Sequence, residues 1–272
     1  MISQTFDTGG TRLDDPVTTA FLPAVVASGG LAFRPGALER PGNTYSAMIE
    51  RLSPAFAELR GPVDLVVLAY ATPDAVPGAV AGPLATAVLP GNPSAFAVTD
   101  QGVAAPFTAL ALAELYAART GLERIVVLLL DQASFPYEVP DSPAVRVDGD
   151  AVVVLVLERP GADDGRGGYE IQQDSGVPAA EFTERIGRLW KQLADDEDTP
   201  VLFGPGVDPA WSLPISAVDV RHVAPGQPGT GLWREAAARH SGTARGTVVL
   251  IDLDPSTGDL SGCRLDTGAP PR

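Results

Sequence analysis

The sequence predicts a pseudo-duplicated α/β protein, and three observations carry that reading. Apolar runs too short for a membrane and rich in β-branched residues recur as DLVVLAY, RIVVLLLDQ and AVVVLVLERP. Each reads as a strand buried on both faces. Segments with helical spacing of apolar positions lie between them. The order helix, strand, loop, helix, strand, strand then occurs roughly twice, on either side of the glycine-rich polar stretch GADDGRGGYEIQQDSG. We therefore expect an N-terminal half over 1–160, a polar linker over 161–176 and a C-terminal half over 177–272.

Residues 1–43, with paired glycines and several prolines, predict irregular chain with one short strand or helix around FLPAVVA. TYSAMIERLSPAFAEL places Tyr45, Met48, Ile49, Leu52, Phe56 and Leu59 on one helical face, with Pro54 straining or kinking the helix. After Gly61-Pro62, VDLVVLAY predicts a strand and Ala71 to Asp74 a polar loop. PGAVAGPLATAVL follows as a helix interrupted by glycine and proline, and SAFAVTD as a short strand.

TDQGVAAPFTALALAELYAART enters a helix directly from a turn. Phe107, Leu110, Ala111, Leu115 and Ala118 share one face of that helix, and Gly121 supplies its C-cap. With the strand ERIVVLLLDQ it completes the clearest βαβ unit of the chain. RVDGDAVVVLVLERP predicts a strand entered from an Asp-Gly turn, antiparallel to its neighbour.

In the second half, Phe182, Ile186, Leu189, Trp190 and Leu193 form a helical stripe in PAAEFTERIGRLWKQLADDED. TPVLFGPG and SAVDVRHVAP predict strands, and a glycine-rich loop leads into the helix GLWREAAARH. TVVLIDLDPSTGDLSGCRLD predicts two strands joined through a turn.

Composition excludes several function classes. The chain has 272 residues, enough for a sizeable core. Its 34 acidic and 19 basic residues give a formal charge of -15, and the arginines are scattered, so a nucleic-acid partner is not expected. No apolar run approaches the roughly 18 residues of a membrane span. The N-terminus lacks the basic and apolar regions of a secretory signal, which predicts a cytoplasmic protein without a membrane partner. One cysteine and two histidines exclude a disulfide and a cysteine-based metal cluster, and no cofactor is expected. A carboxylate-only Mg²⁺ site stays compatible with the composition.

Over residues 44–270 these stretches resemble the thiolase superfamily, in its ketosynthase-like branch. VDLVVLAYATPDA is similar to the family's acidic residue, strand and small-residue loop, here Asp64, Leu65 to Tyr70 and Ala71 to Asp74. FAVTDQGVAAPFTALALAELYAARTGLERIVVLLLD resembles its strand, nucleophile elbow, central helix and next strand. HVAPGQPGTGLWREAAARH resembles the glycine-rich loop opening the corresponding second-half helix, and TVVLIDLDPSTGDLSGCRL the closing hairpin. The resemblance implies a thiolase-like layered fold with central mixed sheets and buried helices.

It also implies a catalytic cysteine at the start of the central helix, activated by the helix N-terminus and faced by backbone N–H groups. Counted back from Phe107, that position is Ala104, with Gln101 or Gly102 as the alternatives in register. Some partner subunits of the family carry glutamine in the place of the cysteine. Where the family has its first histidine stand Gly204, Pro205 and Gly206. Where it has its second histidine or an asparagine stands Gln227, which donates a hydrogen bond but cannot shuttle a proton.

The expected function is therefore a non-catalytic ketosynthase-like partner or scaffold in a specialised acyl or polyketide pathway. It would be a homodimer or a heterodimer with a ketosynthase-like subunit. The alternatives are an enzyme of altered chemistry, for acyl transfer or cyclisation, using Asp100, Gln101, His222 or Gln227 for positioning, and an acyl-binding module. Ala104 and Phe107 are the candidate substrate contacts, with an acyl thioester as candidate ligand. An altered enzyme predicts a tunnel to Gln101 and Ala104, whereas Phe107 or Trp233 filling the elbow counts against it.

Other readings accompany these candidates. Asp100 reads as a helix cap or a ligand-orienting group, and His222 as a strand-end histidine or an acid-base group. His240 reads as a helix C-terminal cation and Cys263 as a buried small hydrophobe. Asp131, Gln132 and Ser134 are expected near a sheet edge or dimer seam. GQPGTG lacks the lysine of a phosphate loop, and DLDPSTGDL the spacing of a Ca²⁺ loop.

Overall fold

The computed structural model describes residues 1–7, 9, 11–12, 16–28, 30–34, 36, 39, 41–72, 74, 81–135, 137–138, 142–158, 168–217, 219–240 and 246–267. The chain begins with β1 (Ile2–Phe6), β2 (Thr11–Arg12), α1 (Pro16–Ser28) and β3 (Pro41–Gly42). The segment around FLPAVVA is thus helical, within α1. Thr44 then caps α2 (Tyr45–Arg51), accepting from Ala47 N at 3.0 Å. The expected proline effect is a break at Leu52, after which α3 (Ser53–Ala57) starts with Pro54 in its first turn.

β4 (Leu65–Tyr70), α4 (Ala81–Val88), β5 (Ser94–Val98), α5 (Ala105–Thr120), β6 (Arg124–Asp131) and β7 (Asp150–Glu158) complete the first half. Residues 77–80, expected to open the helix that became α4, lie outside the described residues, as does Pro73 of the Ala71 to Asp74 loop.

The second half contains β8 (Tyr169–Asp174), α6 (Phe182–Leu193), β9 (Val201–Phe203), β10 (Val220–His222), α7 (Gly231–His240), β11 (Gly246–Asp254) and β12 (Asp259–Thr267). β8 corrects the expectation of a linker over 161–176, of which 161–167 lie outside the described residues. Its residues are polar because β8 is a half-exposed edge strand paired, among the described residues, only with β12, so it lacks the apolar run that marks a central strand.

The two sheets repeat one another. The first has the order β1-β7-β6-β4-β5, and the second, read from its edge, β8-β12-β11-β9-β10. In each, the first two pairings are antiparallel and the last two parallel. The edge strand comes first in each half's sequence and the hairpin partner last. This is the predicted duplication, resolved to strand order.

Strand alternation explains the layers. Val67, Leu129 and Val153 of the first sheet face inward to α5 and α7, while Val66, Leu128 and Val152 face α2, α3 and α4. In the second sheet Leu202 and Leu250 face the same inner helices, and Phe203, Val249 and Ile251 face α6. The result is five layers, helices outside, two mixed sheets, and α5 with α7 between them. Strands covered on both faces must be apolar throughout, as the central ones are.

The inner position of α5 makes burial depend on depth along the helix as well as on the shared face. Its first turns bury Ala105, Pro106, Phe107, Ala109, Leu110 and Ala113, small residues that let both sheets approach, whereas Leu115 and Ala118 are exposed where the helix leaves the layer. Gly121 ends it in the left-handed conformation, φ 72°. On α6 the predicted stripe of Phe182, Ile186, Leu189, Trp190 and Leu193 is buried.

Candidate functional site

The turn between β5 and α5 is built on two left-handed residues, Asp100 at φ 62° and Gly102 at φ 50°. Such a conformation is uncommon for a residue with a side chain, although Asp is among those that tolerate it. The chain tightens into a 3₁₀ turn, Gly102–Ala104, before α5 starts at Ala105 with Pro106 in its first turn. Neither the 3₁₀ turn nor α5 has a side-chain cap, so Asp100 does not cap the helix. Its left-handed backbone aims the carboxylate elsewhere. That charge is felt by Tyr70 and Tyr137: burial first, and then Asp100, raises both phenols, Tyr137 to about 12.

Ala104 is buried at the helix start and Gln101 is exposed beside it. Phe107 is a core residue. Its ring meets Trp233 of α7 edge-on, with centroids 5.3 Å apart, and the two are 1% and 2% exposed. The space between the inner helices is thus occupied by the two aromatic side chains, the arrangement that counts against a tunnel at the elbow. Phe107 is therefore a packing residue of the inner layer.

His222 and Gln227 lie together beside α7. His222 ends β10, exposed, with Nδ1 3.3 Å from Val207 O and its ring 4.9 Å from that of Phe203. Gln227 accepts a hydrogen bond from Arg234 Nη1 through Oε1. Both line one cavity, which contains neither Asp100, Gln101, Ala104 nor Phe107. The six candidates therefore occupy separate neighbourhoods. Of the lesser candidates, the side chain of His240 lies outside the described residues, and Cys263 is fully buried, its thiol pushed far up by desolvation and unsuited to nucleophilic attack.

Three carboxyl groups outside the candidate catalytic set are placed at these turns. Asp131, at the end of β6, is 1% exposed and accepts from Gly229 N, Thr230 N and Thr230 Oγ1. It lies at the end of a central strand rather than at a sheet edge, and its oxygens accept from the turn that leads into α7 in the other half. Burial raises its pKa to about 6 against the opposing hydrogen bonds from Thr230 and Gly229. Gln132 is equally buried, donating through Nε2 to Asn43 O and to Asp74 Oδ1.

Asp252 and Asp254 stand at the end of β11. Asp254 Oδ2 comes within 2.9 Å of where a Cβ on Gly102 would lie, which places a carboxyl against the α5 elbow as Asp131 stands against the α7 start. Asp252 Oδ1 accepts from Gly206 N at 3.1 Å and Leu253 N at 2.9 Å. Burial, with Asp254 adding charge repulsion, raises its pKa to about 8, so at neutral pH Asp252 is largely the protonated acid. Its carboxyl packs directly on Gly204, where a Cβ would overlap it, and a Cβ on Gly206 would overlap Leu253 O. The signal for these residues was present: RIVVLLLD and TVVLIDLD are matching apolar strands that each end in aspartate. What they face was not readable.

Among the described residues no group of three or more His, Cys, Asp or Glu side chains is placed to hold a metal ion. No helix of the described residues is long and apolar enough to cross a membrane.

No family model matches the chain, and no curated protein matches it in sequence. Solved structures do match in fold. 3-Oxoacyl-(acyl carrier protein) synthase III, FabH, from Pseudomonas aeruginosa PAO1 superposes with a TM-score of 0.59 at 16% identity, covering 97% of this chain and 95% of that one. AbyA1, a tetronic acid condensing enzyme, gives 0.56 at 18% identity over 82% and 84%. The acyltransferase ChlB3 gives 0.54 at 15% identity over 76% and 78%. With its duplicated mixed sheets enclosing two inner helices, the chain has the thiolase-like fold of the ketosynthase III type.

Proposed function

We propose that the protein is a non-catalytic, ketosynthase-like partner subunit acting in an acyl or polyketide pathway. The observation that carries this reading is the Asp252 carboxyl packed against Gly204. If the resemblance is taken position by position, a histidine belongs at 204–206, and a buried acid fills the space its side chain would need. Ala104 at the elbow and Gln227 held by Arg234 agree with it, since neither can serve as nucleophile or proton shuttle. The solved structures of like fold include a condensing enzyme and an acyltransferase, which supports the pathway class.

A pairing surface supports the partner role. Among the described residues β5 is an edge strand bonded only to β4, and beside it Phe96 stacks at 5.3 Å on Tyr116, which with Leu115 is exposed. An unpaired edge with flanking apolar groups is a template for a second chain. Incubation with acetyl and octanoyl thioesters followed by intact-mass and product analysis should give no adduct and no turnover. Native mass spectrometry should give a dimer, alone or with a ketosynthase-like subunit, that Phe96→Asp and Tyr116→Asp weaken. A covalent acyl adduct, or a monomer under every pairing condition, overturns the reading.

Asp252 also favours a second reading, an enzyme of altered chemistry. A carboxyl still protonated near pH 7 is a general acid, and it lies on the strand end that faces the elbow. This reading expects thioester turnover that Asp252→Asn abolishes.

A further inference from the structure

The two inner helices are treated differently at their outer sides. Beside α5 the edge strand closes down, with Tyr169 Oη donating to Leu110 O at 3.5 Å and Gln173 Nε2 to Thr108 Oγ1 at 3.2 Å. Beside α7, which has 10 residues against 16 in α5, the corresponding edge β1 leaves a cavity of about 680 Å³. Ser3 of β1, the Asp148-Gly149 turn, the segment from Arg221 to Gln227 and the outer face of α7 line it. That volume suits a small organic molecule.

The charges within it are unequal in their commitments. Glu235 is paired with Arg221 at 3.3 Å and Asp148 with Arg146 at 2.8 Å. Arg234, half-buried, has a neutral partner, Gln227 Oε1, and among the described residues no carboxylate lies within ion-pair distance of it. Asp131 feels its charge but spends its oxygens on Gly229 and Thr230. In a chain carrying 34 acidic residues against 19 basic ones, a cavity-facing guanidinium without a carboxylate partner has its fork of donors open to an oxyanion. Val223, Pro225 and Ala238 give the same cavity an apolar wall.

We propose that this cavity binds a small organic oxyanion, a carboxylate or a phosphate monoester, with its charged end on Arg234 and its body against Val223, Pro225 and Ala238. The assignment goes beyond the partner role and does not depend on it. The test is an amide-NMR titration of the labelled full chain with methyl phosphate and, separately, with butyrate. Saturable shifts at Gly226, Gln227 and Gly231 are expected, and whichever probe produces them identifies the headgroup. Arg234→Gln should weaken binding by about ten-fold or more. Gln227→Glu, which supplies Arg234 with a carboxylate of nearly the same shape, should do the same with the fold intact, so the test survives a failure of Arg234→Gln to fold. Absence of saturable shifts with either probe up to about 10 mM, or binding that Gln227→Glu leaves unchanged, overturns the proposal.

Discussion

The carboxylate of Asp131 accepts from Thr230 N at 2.8 Å and Thr230 Oγ1 at 2.7 Å, joining the end of a first-half strand to the start of a second-half helix. Gly229 and Thr230 lead into α7 and are buried, so their N–H groups need a partner within the protein. One carboxylate from the other sheet accepts from both and fixes the two halves against each other. Asp131→Ala should lower unfolding free energy by about 2–3 kcal/mol, because charge-assisted bonds are lost and buried donors are left unpaired. Urea denaturation of the variant measures it, and a midpoint equal to wild type refutes the cap.

Asp252 and Asp131 give stability a definite pH dependence. Both carboxyls have folded pKa values, about 8 and about 6, above the ordinary 3.8. Below pH ~4 they are protonated in both states; as pH rises the unfolded chain ionises first, so their stabilising contribution is lost through pH ~6 for Asp131 and pH ~8 for Asp252. Stability should fall between pH 6 and 8, and Asp252→Asn should flatten that limb. A wild-type profile already flat from 6 to 8 contradicts the assignment.

Gly204→Ala should destabilise the protein by about 1–3 kcal/mol, since the new methyl group overlaps the Asp252 carboxyl. Combining it with Asp252→Ala should recover part of that cost, giving strong coupling in a double-mutant cycle. Additive effects would show that the close approach is not what excludes a side chain at 204.

Phe107→Ala should cost about 3–5 kcal/mol by opening a cavity between α5 and α7. Were Phe107 instead the wall of an open substrate tunnel, the change would leave stability nearly untouched, which calorimetry distinguishes.

The sequence alone determined the central strands, most of the helices and the duplication. Runs such as RIVVLLLD need burial on both faces, which fixes them as inner strands before any contact is known. It could not place β8, because a half-exposed edge strand such as YEIQQD lacks the pattern of a central one. It grouped Leu115 and Ala118 with Phe107 and Leu110 on one face but could not tell which of them are buried, because periodicity reports a face, whereas a helix between two sheets is buried by depth along its axis. Only the tertiary structure brought Asp131 to Thr230, Asp252 to Gly204 and Arg234 to an open cavity. Each pairing joins residues at least 40 positions apart or depends on a void between layers, and such meetings are set by how sheets stack, which local pattern does not encode.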